Sequence, residues 1–159
     1  MNDLFGNITR SATFSDCRKY RYVLMRSWAP EKGMVAFIGL NPSTANEDDD
    51  DNTITKVQKI AYHNGFGGIY MINLFGIISS DPDYIYQVKD PVGEFTDHVI
   101  KEISDLSRCL VACWGNFKQA KGRDAQVTAM LGRKLSYLHI NKNGSPKHPL
   151  YCRDNSIII

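Results

Sequence analysis

The sequence predicts an α/β fold, a four-stranded parallel sheet sandwiched by helices, with an antiparallel strand or hairpin at its N-terminal side, and three observations carry that expectation. Apolar runs of strand length recur at Met34–Ile38, at GIYMIN ending on Asn73, at CLVACW ending on Trp114 and at LSYLHI over 135–140. Unbroken runs of this kind are what strands buried on both faces look like. The stretches between them show helical apolar spacing, and strand alternating with helix argues for parallel strands joined by crossovers. Each run also gives way to a loop rich in Gly, Asn or Pro, and in open α/β sheets the ligand crevice lies beyond the carboxyl ends of the strands.

Residues 1–11 have few apolar side chains and no period, which predicts a loosely held arm. ATFSDCRKYRYVLMRSW, residues 12–28, is β-prone and predicts one or two antiparallel strands at the sheet edge. Arg18, Lys19, Arg21 and Arg26 interleave there with Tyr20 and Tyr22. That mixture suits phosphates and stacked bases, and it equally suits a solvated face whose arginine stems cover apolar surface.

The Met34 strand breaks into Gly39, Leu40, Asn41, Pro42 and Ser43, a turn that exposes backbone N–H groups where a ligand would sit. An acidic run, Glu47–Asp51, follows, and Asp51, Asn52 or Thr53 can cap a helix over about 54–64 with Ile54, Val57, Ile60 and Ala61 on one face. Three readings of the run stand open: favourable charge at a helix N-terminus, a divalent metal site, or a base that activates water. The second strand ends on Asn73 and runs on through Phe75. Turn signals at 79–82 and 90–93 predict a surface excursion with a short helix, then a helix over about 93–106 burying Phe95, Val99, Ile103 and Leu106. Trp114, Gly115 and Asn116 close the third strand, and a helix over 117–131 carries a basic surface of Lys118, Lys121 and Arg123, with Arg133 just beyond. The last strand leads to NKNGSPKHPLY, a loop bearing Lys142, Lys147, His148 and Tyr151, with Arg153 close behind. Phe37 and Phe66 are expected in the core.

The 159 residues are 43% hydrophobic and 23% charged, ordinary for a single domain spanning 1–159. A net charge of +2 makes no polycation, so any nucleic-acid face is local. Cys17, Cys109, Cys113 and Cys152 show no CxxC pair and match no common metal spacing, which fits a reduced, cytoplasmic protein. Cys109 and Cys113, four apart in a strand, share one face as small hydrophobes. Neither a membrane span nor an export signal is expected.

FIGLNPSTA, INLFG, WGN and GSPKHPLY, in that order across roughly 17–152, resemble the bacterial and phage family DUF1643, with Asp51-Asn52-Thr53 where Asp-Pro-Thr is the expected form. More distantly the order is similar to the uracil-DNA glycosylase superfamily: a Gly-x-Asn-Pro loop, an Asn ending the second strand, Trp-Gly after the third and a His-Pro loop after the fourth. That resemblance implies a base pocket at the strand ends, with Gly39, Leu40, Pro42, Ser43, Asn73, Phe75, Trp114 and Asn116 around the base. It implies that Asn41 positions water, Asn73 reads the polar edge of an extruded base and His148 hydrogen-bonds the departing oxygen. The chain departs from it with His-Pro-Leu-Tyr in place of His-Pro-Ser-Pro-Leu, and with no acid inside the Asn41 motif. Because an amide cannot act as a base at neutral pH, Asp51 or a neighbour in the acidic run is the candidate for that task.

The expected activity is a DNA glycosylase-like hydrolase acting on a flipped uracil-like or modified pyrimidine, including a phage-type modified base, with Asn41, His148 and Asp51 catalytic. DNA would be held by Lys142, Lys147, Tyr151 and Arg153, and no cofactor or metal is implied. Two other classes stand beside it: a non-catalytic nucleotide or nucleic-acid binding module in phage–host conflict, and a metal-assisted nucleotide hydrolase built on the acidic loop.

Overall fold

The computed structural model describes residues 6–159. Six strands, β1 (Thr9–Phe14), β2 (Arg21–Ser27), β3 (Met34–Gly39), β4 (Gly68–Asn73), β5 (Cys109–Ala112) and β6 (Ser136–Tyr137), form one sheet in the order β1-β2-β4-β3-β5-β6. β1 and β2 make an antiparallel hairpin, and β2 joins β4 antiparallel. The other four strands are parallel.

Three α-helices, α1 (Asn52–His63), α2 (Thr96–Leu106) and α3 (Arg123–Leu131), cover the sheet. Side chains alternate across β3, and the sequence therefore builds two cores at once. Val35 and Phe37 pack with Ile54, Val57, Ile60 and Ala61 of α1, while Ala36 and Ile38 pack with Ile100 and Ile103 of α2 and Val127 of α3. Each Val, Ile or Phe side chain so buried contributes about 1.5–3 kcal/mol relative to exposure. Cys113 and Cys109 share the α1 face, as their spacing predicts.

Four expectations are corrected. The loose arm expected over 1–11 lies in part outside the described residues, and within them Thr9–Ser11 already belong to β1, paired with Met25–Ser27. LSYLHI supplies only two strand residues, because Tyr137 exchanges backbone hydrogen bonds with Ile159 and Ile140 bridges to Pro146. α2 starts at Thr96 and buries Thr96, Ile100, Ile103 and Ser104, leaving Phe95 52% and Leu106 57% exposed. Thr96, buried at the start of α2, donates its hydroxyl to the Val92 carbonyl, and the buried stripe lies about one residue on from the expected one. Finally, the helix expected from 117 begins at Arg123: Lys118–Ala120 form a 3-10 turn, and Gly122, at φ 89°, separates the two. Arg123 is buried, its Nε donating to the Leu74 carbonyl at 2.8 Å and its guanidinium paired with Asp97, so it does not belong to the basic surface. Phe37 is fully buried, and Phe66 is half-buried against the α1-side core.

Among the described residues no helix is long and apolar enough to cross a membrane. The strand order fixes where a site belongs. From β3 the chain crosses to β4 on one side and later returns to β5 on the other, and the carboxyl end of β3 is the switch point at which such sheets bind ligands.

Candidate functional site

A cleft of about 140 Å³ opens at that switch point, walled by Gly39, Leu40, Asn41, Pro42 and Ser43 after β3, Asn73 at the end of β4, Asp51 before α1 and His148 after β6. An apolar cavity of about 150 Å³ is enough to take up a benzene ring, so this cleft has room for a single six-membered ring.

Gly39 and Asn73 are register partners at the ends of β3 and β4. A Cβ on Gly39 would lie 2.7 Å from Asn73 Oδ1 and 2.7 Å from the Met71 methyl, so the close approach of these side chains requires glycine. Asn73 is 4% exposed, and its Nδ2 is buried without a partner. Asn41 is oriented the opposite way. Its Nδ2 donates to the carbonyls of Ser79 at 2.9 Å and of Ile77 and Pro42 at 3.2 Å, which leaves Oδ1 as the polar atom it can offer a ligand. Across the loop, the hydroxyls of Ser43 and Ser80 meet at 3.0 Å.

Asp51 caps α1, one carboxylate oxygen accepting from Ile54 N–H at 2.9 Å. The rest of the acidic run turns elsewhere. Glu47 pairs with Arg18 at 3.1 Å, and Asp50 pairs with the fully buried Arg26 at 2.9 Å while accepting from Gln58 at 2.9 Å. Asn46 accepts from the N–H groups of Asp48 and Asp49, folding the run into a tight turn. Asp51 alone of the run lines the cleft, and among the described residues no group of three or more His, Cys, Asp or Glu comes together as metal ligands would.

His148 Nδ1 accepts from Leu150 N–H at 3.2 Å, so in the neutral ring the proton sits on Nε2. Burial holds the imidazole below its ordinary pKa, with Asp51 partly opposing, and the ring is therefore neutral at pH 7. Phe117 and Tyr151 meet it edge to face at centroid distances of 6.5 Å and 6.3 Å.

Arg21, the first residue of β2, is the site residue that sequence reasoning left in the general basic stretch. It is 3% exposed; Nη1 donates to the Ala45 carbonyl at 3.0 Å, while Nε has no partner. Burial lowers its pKa to about 10, Asp51 raising and Arg26 lowering it, so the guanidinium stays charged at neutral pH. Its place was concealed because the expected antiparallel strand had neither an assigned neighbour nor a register: β2 pairs with β4 from Leu24 to Ser27, which carries its first residue to the carboxyl edge of the parallel strands.

The structure brings Gly39, Leu40, Asn41, Pro42, Ser43, Asp51, Asn73 and His148 to one cleft and distributes the other expected residues around it. Phe75 does not line the cleft: it packs in the α2-side core, 7% exposed. Trp114 is buried and borders a neighbouring depression of about 770 Å³ together with Asn116. Asn116 also borders a second depression, of about 680 Å³, with Phe117, Lys142, Lys147, His148 and Tyr151. That depression shares Phe117 and His148 with the cleft, so the two adjoin. Arg153 is exposed and borders neither of these depressions nor the cleft.

No curated protein and no solved structure matches the chain. A family model described as a protein of unknown function, DUF1643, matches residues 21–150, and the chain belongs to that family.

Proposed function

We propose that this protein is a DNA glycosylase-like hydrolase that cleaves the N-glycosidic bond of a flipped uracil-like or modified pyrimidine. One observation carries the reading: Asn41, Asp51, Asn73 and His148, drawn from four separate segments, line one ring-sized cleft at the switch point of the sheet. Four parallel strands with helices on both faces are also what the resemblance to the uracil-DNA glycosylase superfamily implies.

In this mechanism Asn41 Oδ1 accepts a hydrogen bond from a water molecule and aligns it, and the Asp51 carboxylate takes its proton. The water oxygen bonds to the sugar C1′ as the C1′–N bond breaks, and the electron pair of that bond leaves with the base. His148 Nε2–H donates to the base oxygen that gains charge, and Asn73 Nδ2 donates to an acceptor on the same ring. The proton on Asp51 then passes to solvent or to the departed base. Extrusion of the base from the stack is assigned to the adjoining depression, where Tyr151 and Phe117 offer ring faces and Lys142 and Lys147 offer charge to phosphates.

The test is base release, read by mass spectrometry with EDTA present, from single- and double-stranded DNAs containing uracil, mismatches and modified cytosines and thymines. One free base should appear, and Asn41→Ala should reduce its release by about 100-fold or more. Silence across the panel from folded protein would overturn the proposal. A second reading, a binding module using the same cleft, is favoured by the three carbonyls that engage the Asn41 amide nitrogen, which serves a rigid pocket as well as an active one. Such a module would hold a nucleotide through purification and release nothing.

A further inference from the structure

Three buried side-chain polar atoms lack a hydrogen-bond partner among the described residues: Arg21 Nε, Asn73 Nδ2 and Gln58 Oε1. Two of them belong to residues lining the same cleft, and both of those are donors. Buried donors are nearly always paired, so two orphans at one ring-sized cleft point to an occupant that brings acceptors. Arg21 adds a formal charge to this demand. Asp51 is the acidic group on the same lining, but among the described residues no hydrogen bond joins the two: Asp51 caps α1 and Arg21 Nη1 donates to the Ala45 carbonyl. Arg26, the next buried arginine, is occupied by Asp50 and by backbone carbonyls. With His148 neutral, Arg21 is the only fixed positive charge among the described residues lining the cleft.

We infer that Arg21 makes the cleft selective for an anionic ring over its neutral isostere, and that it compensates the negative charge a base acquires as it departs. The chemical meaning of this assignment rests on the hydrolase reading; the binding preference does not. Breaking the C1′–N bond leaves the bond's electron pair on the base, and a hydrogen bond from a neutral imidazole carries no full countercharge. A guanidinium already desolvated at the cleft supplies one without reorganisation. This gives the site a division of labour: His148 and Asn73 read the ring by hydrogen bonding, and Arg21 answers its charge.

The measurement compares two free rings of one size, uracil, which is neutral at neutral pH, and barbiturate, which is already an anion there, by calorimetric titration into the full chain. Barbiturate should bind at least about tenfold more tightly than uracil. In Arg21→Met, which keeps an unbranched stem and removes the charge, the ratio should fall to about one, and Arg21→Lys should keep part of it. A ratio near one in the unaltered protein, failure of both rings to bind, or an unchanged ratio in Arg21→Met would overturn the inference. Should Arg21→Met fail to fold, the ratio in the unaltered protein and in Arg21→Lys decides. Base release from DNA together with a ratio near one would leave the hydrolase standing and remove this role of Arg21. A strong barbiturate preference without release from any DNA would do the reverse.

Discussion

Asn41 and Asn73 are the same side chain turned to opposite uses by what surrounds them. Three carbonyls hold the nitrogen of Asn41 and leave an acceptor for a ligand, whereas Asn73 keeps a buried, unpartnered donor. Such a pair can hold a water by its hydrogen and a ring by its oxygen. His148 adds a group whose charge state reports on the site. Burial holds its pKa below the ordinary value of about 6.5, so on acidification the unfolded chain binds the proton first. The stability it contributes is present above the unfolded value and is lost as pH falls through the folded one. Thermal melts between about pH 7.5 and about pH 5 should therefore show the unaltered protein losing stability faster than His148→Gln. Parallel melting curves would show that the ring is not held neutral by the fold.

At the scale of elements, one substitution separates the helix cap that Asp51 provides from the base role proposed for it. Asn caps a helix about as well as Asp, so Asp51→Asn should leave stability in urea within about 0.5 kcal/mol. Base release should nonetheless fall about 100-fold or more, because the amide cannot take a proton. Asp51→Ala should lose the activity and about 1 kcal/mol of stability together. Full activity in Asp51→Asn would reduce the residue to its cap. The elements that set this geometry were legible in proportion to how far local pattern determines them. Met34–Ile38 and the run ending on Asn73 announce buried strands by composition, and the stripe of Ile54, Val57, Ile60 and Ala61 announces α1. β6 was not legible at its true length, because the groups that replace its ladder come from Ile159 and Pro146. The phase of α2 was not legible because two of its four buried residues, Thr96 and Ser104, are polar and escape a search for apolar spacing. Of the cleft, the residues at parallel strand ends could be named from the chain; Arg21 could not, since the composition of an antiparallel strand fixes neither its neighbour in the sheet nor its register.

For the molecule as a whole, a net charge of +2 leaves DNA attraction to local arrangement. On the proposed reading that arrangement is Lys142 and Lys147, which border the depression adjoining the cleft together with Tyr151, 76% exposed. Replacing both lysines by Ala should lower the slope of log affinity against log salt by about 2, as read by fluorescence anisotropy with a short DNA. An unaltered slope would move the DNA path to another face. The β1–β2 hairpin has a wider consequence. It pairs with the parallel strands along β4 and is tied to the acidic turn through Arg26 and Asp50, and it delivers Arg21 to a cleft whose remaining walls come from outside the hairpin. On the proposed reading, the group that answers a ligand's charge and the groups that act on its bond therefore come from different pieces of chain. A lineage could change the sign of the charge at the cleft at Arg21 alone, and with it the ligand taken, while Arg26 went on holding the turn that leads to Asp51.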